Sequence, residues 1–225
     1  MSTAADPGFI MATVRFFQDG GPWMWPILVI FLLGAALVLE RFLYLQVVTS
    51  KNSKMWAELY PLISKGQFKQ ALEMSKNSDT FISGIVGAGL TRASITRNHE
   101  DIGLAMEESL MEVMPRLEQR TPYIATLANI ATLLGLLGTI MGLIDAFTAI
   151  ASADPAQKAA ILSSSISVAM NTTAFGLIAA IPLMLAFTYL QSKTGKVVES
   201  MEMASVKLLN IYRQLAIASE KNQGA

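Results

Sequence analysis

Three stretches of this chain, residues 22–45, 121–153 and 161–191, are each apolar over more length than a bilayer core requires. A helix crosses the hydrocarbon with about 20 residues. The sequence therefore reads as an all-α polytopic membrane protein with three transmembrane helices. The rest of the chain agrees: 52% of its 225 residues are hydrophobic and 15% are charged, against about a quarter charged in soluble domains. The first stretch is too long for a signal-peptide core and follows the polar Asp6, Gln18 and Asp19, so it reads as an uncleaved anchor.

Lysine and arginine orient the spans. Only Arg15 precedes the first span. Arg41, Lys51, Lys54, Lys65, Lys69, Lys76, Arg92, Arg97, Arg116 and Arg120 lie between the first and second. Lys158 alone occupies the turn between the second and third, and Lys193, Lys196, Lys207, Arg213 and Lys221 follow. All three spans agree on one topology. Residues 1–21 form an outer N-terminal segment, residues 46–120 a cytoplasmic helical domain, residues 154–160 an outer turn, and residues 192–225 a cytoplasmic C-terminal helix. Trp23 and Trp25 then fall in the outer interfacial belt.

Composition removes several function classes. With no cysteine there is no disulfide framework, thiolate metal site or catalytic thiol. A net charge of zero gives no field for nucleic acid. The single histidine, His99, stands in "NHED" and reads as a solvated surface residue. "GIVGAGL" lacks the strand context of a dinucleotide site, and no nucleophile stands beside a base. The chain reads as a non-enzyme without a metal or cofactor.

The cytoplasmic domain reads as helices. "SKMWAELYPLISKG" and "QFKQALEMSK" are two short amphipathic pieces closed by Gly or Asn, and "DTFISGIVGAGLTRA" is a third opened by an Asp or Thr cap. Ile102, Met106, Leu110, Met114 and Leu117 recur at helical steps. This pattern predicts one helix from about residue 99 to 150, about 75 Å long, bent near Pro115 and Pro122. The tail after the third span is amphipathic and continues that span.

Polar and small residues inside the spans share faces. In the second span Gly135, Gly138, Thr139, Gly142 and Asp145 recur at three and four. Gly138 and Gly142 form a small-xxx-small pair that lets backbones approach. In the third span Ser165, Ala169, Thr172, Thr173, Gly176 and Ala180 lie on a similar face, with Asn171 alongside. Folding the two spans back about Pro155 sets Thr139 opposite Thr172 or Thr173, and Asp145 opposite Ile166 or Ser167. One reading of each threonine is a bond to its own backbone one turn back. The matched depth of Thr139 and the Asn171–Thr173 triplet points instead to a shared polar seam. Asp145, the only acid deep in a span, reaches water at the outer turn or serves proton uptake.

"LLGLLGTIMGLIDAF", "NTTAFGLIAAIP" and "GGPWMWPILVIFLLGAALVLERFLYL" together resemble the MotA/TolQ/ExbB proton channel family, and three spans match its ExbB/TolQ branch. The resemblance covers nearly the whole chain. It implies a homopentamer in the bacterial inner membrane, with the N-terminus periplasmic and the second and third spans lining a pore. It also implies a dimer of an ExbD/TolR-like single-span partner in that pore, whose aspartate binds and releases protons, and a TonB-like or Tol-like protein beyond it. The family's pore-facing threonines fall on Thr139 and Thr173, with Thr172, Asn171 and Asp145 beside them. Glu is common in the branch five residues before the third-span threonine; here that place is Val168, and Asp145 is the acid available to replace it in part. The implied function is conversion of the proton motive force into work on the envelope, as in ExbB-like energising of TonB-dependent transport. TolQ-like envelope maintenance and a gliding- or secretion-type motor are the alternatives, and Na+ is the alternative ion. From the residues alone, a non-conducting membrane scaffold also fits.

Overall fold

The computed structural model describes Gly8, Met11, Val14, Phe16, Phe17, residues 19–96 and residues 98–223, with side chains to position 215. The expected outer segment 1–21 therefore lies largely outside the described residues. Every regular element described is an α-helix: α1 (Met24–Ser64), α2 (Phe68–Lys76), α3 (Phe81–Ala93), α4 (His99–Glu118), α5 (Thr121–Ala151) and α6 (Lys158–Gln223). Three of these stretches are long and apolar enough to cross a membrane: α1, α4 with α5, and α6. At most 28% of the most apolar window of each is buried within the chain. So much open apolar surface marks a protein that lipid or neighbouring subunits must cover.

Several boundaries differ from the pattern in the sequence. "SKMWAELYPLISKG" is not a separate helix but the end of α1, because no Gly or Pro interrupts the chain between Leu45 and Tyr60. Gly66 then ends α1. It has φ +73, its N–H bonds Ile63 O at 3.0 Å, and the Gln67 N–H bonds Leu62 O at 2.9 Å. This is a Schellman stop, which glycine supplies without strain. The cap choice at α3 falls to threonine: Thr80 Oγ1 accepts from the Ser83 N–H.

The single bent helix expected over 99–150 is instead two helices. α4 ends at Glu118, Arg120 takes φ 69, and α5 begins at Thr121. Pro122 lies in the first turn of α5, where its missing N–H has no intrahelical partner to lose. It therefore opens a new helix rather than bending an old one. The turn before α6 covers residues 152–157 rather than 154–160, because α5 stops at Ala151 and α6 starts early, at Lys158.

The chain divides into two compact units. The span unit comprises Met1–Leu39 and Arg120–Tyr189; the cluster unit comprises Glu40–Gln119 and Leu190–Ala225. The cluster unit is built around large side chains. Leu59, Ile63, Ile82, Ile85, Met106 and Leu117 are at most 2% exposed. On α4 the buried face is Ile102, Met106, Leu110, Val113 and Leu117, so Val113 takes the place expected for Met114. Two buried polar groups close helix ends. Asn52 Oδ1 accepts from the Ile82 N–H in the first turn of α3 at 3.4 Å. The Arg41 guanidinium donates to Leu117 O, one of the carbonyls left over at the end of α4. His99 opens α4 with its ring edge-on to Tyr212, centroids 5.6 Å apart, so it is half-buried rather than solvated.

Candidate ion-pathway site

The candidate site lies in the span unit, on the hairpin of α5 and α6. Its register follows from where a side chain would not fit. A Cβ on Gly135 would meet the Cα atoms of Gly176 and Thr173 at 3.3 Å, and a Cβ on Gly142 would meet the Ala169 Cβ at 3.0 Å. A Cβ on Gly176 would lie 2.8 Å from Ala131 O and 3.0 Å from the Gly135 Cα. At Gly138 the obstacle is the Thr172 side chain. The hairpin thus closes on four glycines, Gly135 and Gly176 backbone against backbone and Gly138 and Gly142 under the side chains of Thr172 and Ala169, and the level of Gly138 and Thr139 matches that of Thr172.

Hydroxyls in the spans divide into two kinds. Thr132, Thr148 and Thr188 each donate to the carbonyl four residues back on their own helix, the ordinary habit of threonine in a helix. Thr139 does the same three residues back, to Leu136 O at 2.6 Å. Thr172 and Thr173 reach further. Thr173 Oγ1 donates across the hairpin to Gly135 O at 2.8 Å. Thr172 Oγ1 lies 2.7 Å from Gly20 O and 2.9 Å from Val168 O.

The structure therefore brings Thr139, Thr172 and Thr173 within a turn of one level, and gives them different surroundings. Thr172 is 1% exposed and packed inside the chain. Thr139, Thr173 and Asn171 are half-buried. Around Thr139 the neighbours Leu136 and Ile140 are open, so that hydroxyl stands at the surface of the single chain. Asp145 is exposed while the adjacent Ala146 is buried, which carries its carboxylate away from the hairpin seam.

Two neighbours of the site had weak or no sequence signals. The first is the Gly20 carbonyl: a backbone acceptor leaves no mark in side-chain pattern, although the Gly20–Gly21 pair ahead of α1 marks a turn. The second is an aromatic cluster in which Phe17 meets Trp25 and Phe175 edge-on, centroids 5.0 and 5.7 Å apart. Phe175 lies far along the chain from Phe17 and Trp25, so no local pattern signals it. The start of α1 is further seated on α6 through Gly34, where a Cβ would strike Leu183 at 2.7 Å.

Comparison with known proteins identifies the family. Residues 77–203 match the MotA/TolQ/ExbB proton channel family. A biopolymer transport protein ExbB homolog of Methanothermobacter thermautotrophicus is 27% identical, over 95% of this chain and 75% of its own length. A biopolymer transport protein ExbB-like 3 of Synechocystis is 25% identical, over 79% of this chain and 90% of its own. The Tol-Pal system protein TolQ of Haemophilus influenzae is 33% identical, over 41% of this chain and 40% of its own. With more than half its length under the family's description and three helices able to cross a membrane, this multi-pass membrane protein, which is not an enzyme, belongs to the MotA/TolQ/ExbB proton channel family.

Proposed function

We propose that this chain is the channel subunit of an inner-membrane motor that turns the proton motive force into work on the envelope, in the manner of ExbB. It works as a homo-oligomer, five copies by family resemblance, around a dimer of an ExbD/TolR-like single-span partner. The lysine and arginine distribution sets the N-terminus in the periplasm and the C-terminus in the cytoplasm. The observation that carries the reading is a pair of hydroxyls within a turn of one level on adjoining helices: Thr173 bonded across to Gly135 O, and Thr139 back-bonded and half-open.

An uncharged hydroxyl can donate to or accept from a partner carboxyl group in either protonation state. It offers a moving proton a stopover without placing a fixed charge in hydrocarbon. The driving force is about 2.3 kcal/mol per charge per 100 mV. Asn171 extends the polar surface, and Asp145 supplies an acid nearer the outer turn. Thr172, buried in the single chain, contributes by packing rather than by contact with the ion. ExbB-like energising of TonB-dependent transport ranks ahead of TolQ-like envelope maintenance because the ExbB-named relatives align along most of the chain and TolQ along less than half.

The test is proton flux into liposomes holding this chain with its partner. Thr173→Val should lower flux at least about tenfold, as loss of a hydrogen bond made in the rate-limiting step does, with the assembly intact by size. Full flux from an intact Thr173→Val assembly overturns the reading in favour of a non-conducting scaffold.

A further inference from the structure

Thr172 has one hydroxyl proton and two carbonyl acceptors within reach, Gly20 O at 2.7 Å and Val168 O at 2.9 Å. Both cannot hold a full bond at once. The Val168 bond is internal to α6. The Gly20 bond joins α6 to the residues that lead into α1. Those residues are seated closely: Gly20 is buried, Gly21 has φ +73, and a Cβ on Gly21 would come within 3.1 Å of Val168 Cγ1. A buried carbonyl needs a donor, and Thr172 is the donor given to Gly20.

We propose that Thr172 is a positioning residue with two hydrogen-bond states. In one, its proton pins the start of α1 to α6. In the other, the proton turns to Val168 O and the start of α1 is released. The switch needs only rotation of a hydroxyl, so it costs no charge separation and leaves α6 helical. Thr172 precedes Thr173 directly. A turn of α6 about its axis that draws Thr173 from Gly135 O also swings Thr172 relative to Gly20 O, so one motion breaks both cross-bonds. The consequence for ion coupling rests on the pathway reading of Thr139 and Thr173; the anchoring role does not.

Amide hydrogen exchange on the full-length protein in lipid nanodiscs tests the anchor. Thr172→Val keeps the shape and removes the donor. Exchange over residues 19–25 should rise about fivefold to tenfold, the effect of one lost hydrogen bond. Thr172→Ser, which keeps the donor, should stay within about twofold of the parent, and Thr173→Val, which leaves the Thr172 donor in place, should raise exchange less than Thr172→Val does. Parental exchange in Thr172→Val, or a rise in Thr172→Ser equal to that in Thr172→Val, overturns the anchor.

A second measurement does not depend on Thr172 variants folding. The chain has no cysteine, so Gly21→Cys with Val168→Cys introduces a single reversible lock. Oxidation should block partner-dependent proton flux and reduction should restore it. Full flux through a fully cross-linked assembly overturns the release step. If Thr173→Val conducts normally while Thr172→Val loosens residues 19–25, the pathway reading fails and the anchor stands.

Discussion

The α5–α6 hairpin and the cluster unit are both all-helical, yet they close on opposite materials. The hairpin closes on Gly135, Gly138, Gly142 and Gly176, with Ala131 and Ala169 filling between them. The cluster unit closes on Leu59, Ile63, Ile85, Met106 and Leu117. In the hairpin the large apolar residues point outward: Leu133 is 63% exposed and Leu185 68%. The difference follows from the solvent. In water, burying a large side chain is favourable because it removes apolar area. In lipid the tails are as apolar as leucine, so little is gained by hiding it, and helices associate through close backbone approach and hydrogen bonds. Size thus sorts outward in one region and inward in the other.

The largest expected effect is in the cluster unit. Ile85→Ala should destabilise it by about 3 kcal/mol, the cost of lost burial plus a cavity, read as faster amide exchange in α3 and α4. A cost below about 1 kcal/mol would mean that this core is not held as water-soluble cores are. Next comes Gly176→Ala. The added methyl meets backbone atoms of Ala131 and Gly135 that cannot rotate away, and overpacking of this kind costs about 2 kcal/mol. Thermal melting of the purified protein should drop while its cluster-unit exchange stays unchanged. The smallest effect is expected from Leu185→Ala, on the open face of α6. In isolated subunits it should shift stability by no more than about 0.5 kcal/mol. A larger loss confined to the assembled oligomer would sharpen the contrast, by identifying Leu185 as a subunit contact rather than a lipid contact.

The hairpin was legible in the sequence because its contacts are made by residue types that announce themselves. Glycines at three and four in one span and the threonines in the next mark the facing sides, folding about Pro155 sets the register, and the observed pairs, Gly138 with Thr172 and Gly142 with Ala169, lie at that register. The cluster-unit cores were legible as periodic large apolar residues, although Val113 and Met114 compete for one position and the shorter side chain is the buried one. Helix ends were harder. The break at Gln119–Arg120 depends on whether Pro122 sits inside a helix or opens one, and local composition allows both. The Thr172–Gly20 contact was hidden for a different reason: one partner is a peptide carbonyl, which every residue carries. Whether Thr172 packs or faces an ion depends on which of two adjacent hydroxyls turns inward, and helical spacing alone separates them by only about 100°.

The backbone-to-backbone seat of Gly176 against Gly135 and Ala131 has a thermal consequence. Heat-capacity change on unfolding comes chiefly from apolar groups gaining a water shell. A joint that opens into hydrocarbon gains none, and its strength should vary little as temperature falls. The side-chain core of the other unit draws on hydration and weakens in the cold. Chilling therefore slackens the two halves of this protein unequally, and the glycine seam is the part that stays tight.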